Sequence, residues 1–171
     1  TYTLSGGVNY QGGTSLTASG ALTASLGDIS TGYELFENTE NFEVDFLLMG
    51  SGAGTKSTVQ AKANKIIAVA ELRKDALAFI SPSRNTFISD GAVGTVTVNN
   101  DSAITNSVVD FYSPITSTTY GVFDSGYKYM YDRFSDTFRY VPLNGDIAGT
   151  CARNDLTPVS YTHLRAHETS T

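Results

Sequence analysis

Two unbroken apolar runs on either side of one helix-period segment constrain this chain more than any other feature of it. Phe46-Leu47-Leu48-Met49 shows no alternation of apolar and polar residues and stops at Gly50. Ala76-Leu77-Ala78-Phe79-Ile80 behaves the same way and stops at Ser81-Pro82. Continuous apolar strands are those covered on both faces, as in a parallel sheet. Between them the spacing predicts a helix over about residues 57–74, with Val59, Ala63, Ile66, Ile67 and Ala70 on one face and Lys62, Lys65 and Glu71 elsewhere. Strand, helix and strand make one right-handed βαβ unit, with residues 46–49 as a central parallel strand, and place the chain in the α/β class.

At 171 residues and 18.2 kDa there is room for one domain with a sizeable core. The formal net charge of −6 offers no general grip on phosphate backbones, so nucleic acid is not expected as a direct ligand. The longest apolar stretch, residues 46–49, is far short of the ~20 residues that cross a bilayer, and no membrane insertion is expected. Cys151 stands alone, which excludes an intramolecular disulfide, and no Cys/His spacing suggests zinc.

The C-terminal run Val159-Ser160-Tyr161-Thr162-His163-Leu164-Arg165-Ala166-His167-Glu168-Thr169 resembles the one-frame translation of a transposase sequencing adapter. Residues 159–171 are therefore expected to be adapter read-through and disordered, and residues 1–158 a domain truncated at both ends. His163 and His167 are the only histidines, and both fall in that run. Residues 1–158 thus lack the histidine that a Ser-His-Asp or Cys-His device, or a His-ligated metal, would need.

Residues 1–27 carry no charge and six glycines, which reads as loop and edge-strand material. Asp28 is placed to N-cap a short helix with Ile29, Tyr33 and Phe36 on its inner stripe. Residues 83–100 are rich in Gly, Ser and Asn and enclose Thr95-Val96-Thr97-Val98, a candidate surface hairpin. Asp101 is the expected cap of a further helix, with Ile104, Val108, Phe111 and Tyr112 on one face and Pro114 beyond its end. Five of the ten tyrosines lie between Tyr120 and Tyr140, and Tyr127, Tyr129 and Tyr131 share one face of a strand. A break at Ser135-Asp136-Thr137 returns the chain through Phe138-Arg139-Tyr140-Val141 as an antiparallel hairpin. Most of that tyrosine face is expected to pack inside the domain, with Lys128 and Asp132 turned toward a neighbouring element. Asn144, Gly145 and Asp146 supply capping chemistry for a last helix, in which Ala148, Gly149 and Ala152 would admit a close neighbour.

Three constellations invite a chemical reading. Gly50-Ser51-Gly52-Ala53-Gly54-Thr55-Lys56-Ser57 joins a strand to a helix as a phosphate loop does, which makes a small nucleotide-binding α/β protein the alternative reading. The pattern requires glycine immediately before the lysine, and Thr55 stands there. Tyr127 to Phe134 interleaves aromatic and basic residues like a base-stacking platform, but Asp124, Asp132 and Asp136 offset Lys128 and Arg133, and packing or subunit contact is preferred. Cys151 beside Arg153 has no histidine to serve as its base and reads as a buried cysteine.

The run Tyr127-Lys128-Tyr129-Met130-Tyr131-Asp132-Arg133-Phe134-Ser135-Asp136, with Arg139-Tyr140-Val141-Pro142-Leu143-Asn144-Gly145-Asp146-Ile147-Ala148-Gly149 and Cys151-Ala152-Arg153-Asn154-Asp155, resembles the tail sheath protein of contractile-tailed bacteriophages. The likeness extends upstream through Leu4-Ser5-Gly6-Gly7, Tyr33-Glu34-Leu35-Phe36, Val44-Asp45-Phe46-Leu47 and residues 73–82, leaving residues 83–101 as an exposed, variable loop. It implies a three-layer, subtilisin-like sheath domain with a mostly parallel central sheet and a late antiparallel hairpin. It implies no enzyme: no catalytic residue, cofactor or metal ligand is assigned. The implied role is a structural subunit of the virion, assembled in the host cytoplasm, that polymerises around the tail tube and contracts to drive the tube through the host envelope. The implied partners are further copies of itself, the tail tube protein, and baseplate and tail terminator proteins. Tyr127, Tyr129, Tyr131, Asp132, Asp146 and Arg153 are the motif residues expected to serve packing or subunit contact. Because an adapter-derived run was never fitted to the core, deleting residues 159–171 is expected to leave the melting temperature unchanged within error. A drop of several degrees in a thermal scan would refute the adapter reading.

Overall fold

Helix α2 (Lys56–Arg73) organises the chain, because Val59, Ala63, Ile66, Ile67, Val69 and Ala70 along it are all buried. Thr55 starts it, its Oγ1 accepting from the Thr58 N–H at 3.3 Å. Lys74 ends it in the left-handed region, φ 64°, where its N–H reaches the Ala70 carbonyl at 2.8 Å. The computed structural model describes residues 26–52, 54–90, 96–134 and 136–155. The expectations for residues 1–25 and for the adapter-like residues 159–171 lie outside them.

On either side of α2 in sequence are β1 (Phe46–Leu48) and β2 (Leu77–Ile80), paired in parallel with Phe46 opposite Leu77 and Leu48 opposite Phe79. This is the strand-helix-strand unit legible in the sequence. The central strand is nevertheless β2. A third strand, β5 (Gly121–Phe123), pairs in parallel with its far side, Ala78 opposite Gly121, giving the order β1-β2-β5. Among the described residues β1 is an edge strand, and its Leu48 is 43% exposed. Its outer flank meets α1 (Leu26–Glu34), whose Tyr33 hydroxyl donates to the Leu48 carbonyl at 2.7 Å. The apolar run at 46–49 therefore reflects one core-facing pair, Leu47 and Met49, with the alternate residues Phe46 and Leu48 more open. Strand β5 escaped the sequence reading because three residues are too few to show a period.

Helix α1 begins at Leu26, so Asp28 lies in its first turn and does not cap it; there its carboxylate still meets the positive end of the helix. A 3-10 turn, Leu35–Glu37, follows. Between β2 and β5 the chain forms an antiparallel pair, β3 (Ile88–Asp90) with β4 (Val96–Val98), and then α3 (Asp101–Tyr112). The cap of α3 is Asn100, not Asp101: its Oδ1 accepts the Ala103 N–H at 2.8 Å. The start of the stretch expected to be an exposed loop is buried, at Ser83, Arg84, Thr86 and Ile88, because it turns back under the Gly52 loop. Phe111 of α3 completes the main core beside Leu47, Met49, Ala78, Ile80 and the α2 face.

Three charged residues are buried among the described ones, Arg73, Arg84 and Asp124. Arg73, at the last turn of α2, grips the Asp75 carboxylate with two nitrogens at 2.9 and 3.0 Å. It also donates to the carbonyls of Phe36 at 2.7 Å and Phe42 at 3.0 Å. A buried guanidinium is tolerated only with its donors matched in this way. It fixes the segment entering β1 against the turn entering β2.

The expected hairpin forms from β6 (Tyr127–Asp132) and β7 (Thr137–Pro142), with Tyr129 opposite Tyr140 and Tyr131 opposite Phe138. Helix α4 (Asn144–Asp155) follows and lies against β1 and β2. Gly149 has no neighbour within 4 Å of where a Cβ would stand, so it admits no close approach, contrary to expectation; the buried position is Ala148. Cys151 is half-buried and not fully enclosed. The core assignment has a direct check: Ile66→Ala should lower stability by about 2–5 kcal/mol in denaturant melts, whereas Leu72→Ala on the exposed face of the same helix should change it by about 0.5 kcal/mol or less.

Candidate functional site

The carboxyl ends of the three parallel strands converge on a buried polar knot. Gly50 lies just past β1, Ser81 just past β2 and Asp124 just past β5. In open parallel sheets this end is where ligands are held. Here the chain fills it with its own Asn144, from the start of α4. The Asn144 amide donates to the Gly50 carbonyl and to Ser81 Oγ, both at 2.9 Å, and its backbone N–H reaches the same Oγ at 3.2 Å. Asn144 therefore works as a tether between elements, not as the helix cap its position suggested. The Ser81 hydroxyl donates onward to Asp124 Oδ2, and Asp124 Oδ1 accepts the Gly126 N–H at 3.0 Å. Tyr112 closes the knot from α3, its hydroxyl lying 2.6 Å from the Asp124 carbonyl and 3.1 Å from that of Ile80.

Burial pushes the Asp124 carboxyl above its usual range, against the opposing pull of its bonds from Ser81 and Gly126. Burial likewise raises the Tyr112 and Tyr127 phenols, with the Asp124 charge adding to both.

The loop that resembles a phosphate cradle is occupied structurally. A Cβ on Gly52 would stand 2.7 Å from both the Pro82 carbonyl and the Tyr127 hydroxyl, so only glycine fits there. The Gly52 carbonyl accepts the Arg84 N–H at 3.0 Å, and Lys62 holds the Ser51 carbonyl at 3.1 Å. Lys56, the residue that would reach a phosphate, is ion-paired with Asp110. Beside this loop an apolar groove of about 520 Å³ opens between α1, α2 and β1, lined by Leu26, Ile29, Tyr33, Leu48 and Val59; the sequence reading did not anticipate it.

The motif residues separate into two groups. Tyr127 alone turns inward, donating to the Pro82 carbonyl at 2.9 Å with its ring 5.2 Å from Phe87. The expectation that most of the tyrosine face packs internally fails beyond it. Tyr129 is 60% exposed, Tyr131 46% and Phe138 56%, because no other element of the described chain lies over the outer half of the hairpin. These rings stack on one another: Tyr129 on Phe138 at 5.0 Å and 17°, Tyr129 beside Tyr140 at 4.7 Å, Tyr131 beside Phe138 at 5.2 Å. The Tyr131 hydroxyl bonds the Asp136 carboxylate, which raises its pKa. On the reverse face Lys128 pairs with Asp146 of α4 at 2.6 Å, as expected for a charged face turned to a neighbour, and Arg139 pairs with Asp132 at 2.8 Å. Arg153 is exposed in the last turn of α4, where a cation suits the helix dipole. Among the described residues no group of three or more His, Cys, Asp or Glu is placed to hold a metal ion, and no helix is long and apolar enough to cross a membrane.

The sheet end is thus filled by the chain's own Asn144, and the outer half of the hairpin carries an exposed aromatic face. The chain is 35% identical over 149 residues to the tail sheath protein of Enterobacteria phage T4, covering 82% of this chain and 22% of that protein. It is 32% identical over 162 residues to the tail sheath protein of Vibrio phage KVP40, covering 90% and 23%. It is 31% identical over 83 residues to the tail sheath protein of Salmonella phage ViI, covering 48% and 12%. No protein-family model matches. The chain belongs to the phage tail sheath family, of whose first two relatives it spans less than a quarter of the length.

The raised Asp124 pKa predicts a pH dependence of stability. The folded state binds this proton more readily than the unfolded state, so the contribution of Asp124 is fully present below its ordinary value of 3.8 and is lost as pH rises through the folded value. Urea melts between about pH 7 and pH 4 should therefore show wild type gaining on Asp124→Asn as pH falls. Wild type losing ground to Asp124→Asn as pH falls would mean that the Ser81 and Gly126 bonds outweigh burial.

Proposed function

We propose that this chain is part of a structural subunit of a contractile phage tail sheath, carrying a subtilisin-like sheath domain. Such a subunit polymerises around the tail tube, and the sheath contracts to drive the tube through the host envelope so that the genome can follow. Its partners on this reading are further copies of itself, the tail tube protein, and the baseplate and tail terminator proteins. It works in the virion after assembly in the host cytoplasm, and it is not an enzyme. The similarity to three tail sheath proteins supports the role, and the filled sheet end supports the absence of chemistry there.

The observation that carries the assembly reading is the aromatic ladder. Tyr129, Tyr131 and Phe138 expose their rings side by side on one face, which a lone soluble domain has reason to avoid. We assign this face to contact between subunits, with Tyr127, Asp132 and Asp146 holding the hairpin in place behind it through their bonds to Pro82, Arg139 and Lys128. Arg153, exposed in the last turn of α4, is assigned to subunit contact on its own.

The test is Tyr129→Ser with Phe138→Ser in the full-length protein. The stacked pair contributes about 0.5–1.5 kcal/mol beyond its buried area, so monomer melts should shift only modestly. Electron microscopy should show that sheaths no longer form. Normal sheaths from the double variant would remove the ladder from the subunit contact, and a collapse of monomer stability would make it a packing face.

A further inference from the structure

We infer that β6, β7 and α4 form a unit that opens from the β1-β2-β5 sheet as one body, held by a hydrogen-bonded latch centred on Asn144. The first observation is where the core stops. Among the described residues the main apolar cluster comes from β1, α2, β2, the turns beside them and Phe111, and residues 127–155 add one buried apolar side chain, Ala148, on the helix that lies against β1 and β2. The second is how the unit is attached. Asn144 reaches Gly50 and Ser81, and Tyr127 reaches Pro82, all through polar atoms. Apolar contact is added by the Tyr127 ring against Phe87 and by the buried Ala148. The third is internal cohesion. A six-residue ladder joins β6 to β7, Lys128 pairs with Asp146 of α4, and the Ile147 N–H reaches the Leu143 carbonyl at 3.0 Å.

The Ser81 hydroxyl shows why the latch opens as a whole. It has one proton and two lone pairs, and all are used: the proton on Asp124, the lone pairs on the Asn144 amide and backbone N–H. Withdrawing Asn144 strips two of these partners at once. Segments held by few buried apolar contacts open locally at lower free energy than the core. The chain enters the unit at Gly126, whose carbonyl accepts the Leu143 N–H at 3.3 Å, so both approaches to the hairpin meet at one point. The aromatic ladder rides on this body, and opening moves it relative to the core. That mechanical consequence rests on the assembly reading, whereas the opening itself does not.

Native-state hydrogen exchange on the isolated 171-residue chain tests the opening without requiring a sheath. In wild type, amides of residues 127–155 should exchange together, and faster than those of α2 and β2, at denaturant levels below global unfolding. Asn144→Ala should accelerate residues 127–155 roughly tenfold or more while α2 and β2 keep wild-type rates, because the Gly50 carbonyl and one lone pair of the buried Ser81 hydroxyl lose the amide that joins them. Tyr127→Phe, which removes the bond to Pro82 and the backbone hydrogen bond from Gly52, should give the same pattern with a smaller acceleration. Exchange of 127–155 in step with the core in wild type would overturn the proposal. So would acceleration spread evenly over the chain in Tyr127→Phe. Normal sheaths from the Tyr129→Ser, Phe138→Ser variant, with residues 127–155 still exchanging as one unit, would count against the assembly reading alone.

Discussion

The buried Ser81 hydroxyl is the point from which the C-terminal third of this chain takes its position. A serine just past the central strand has three hydrogen-bonding valences, and the fold assigns one to the strand on its flank, through Asp124, and two to the helix that arrives last, through Asn144. Few apolar residues are needed at that junction, since the polar groups match one another with water excluded. The same match closes the sheet end that would otherwise hold a ligand.

Arg73 plays the corresponding part at the other end of the sheet. Its fork is divided between a carboxylate two residues away and two carbonyls from the segment leading into β1. The two polar clusters bracket the apolar layer of Leu47, Met49, Ile66, Ala70, Ala78 and Ile80, which supplies the non-directional stabilisation. Direction comes from the hydrogen bonds at its two ends. This division explains why a sheet of strands only three or four residues long is well defined.

The exposed ladder of Tyr129, Tyr131 and Phe138 follows from the same arrangement. The hairpin is anchored at its inner end, where Tyr127 is bonded to Pro82, and its outer half extends past the body of the domain. Ring stacking within the face shields each ring partly with the next, which limits the apolar surface offered to water while leaving it available to a partner. The exposed aromatic face and its support are thus formed by one short stretch of chain.

Periodicity alone located α2, β2, the hairpin and the inward set Val59, Ala63, Ile66, Ile67 and Ala70, because a helix face and a strand face are written in the chain at fixed spacing. The tyrosine alternation also determined that Tyr127, Tyr129 and Tyr131 share a face, and the long motif of residues 127–155 determined the family. The sequence reading places Phe46-Leu47-Leu48-Met49 as a central strand, since that run looks as buried as Ala76-Leu77-Ala78-Phe79-Ile80, and it is an edge strand among the described residues. Tertiary structure decided the centre by pairing the three-residue β5 with β2. It decided likewise that Tyr127 is covered and Tyr129 is not, and that Asn144 reaches back 63 residues to Ser81 instead of capping its own helix. Spacing along a chain specifies which side chains point the same way. What lies opposite them depends on contacts between residues far apart in sequence, and those exist only once the chain has closed on itself.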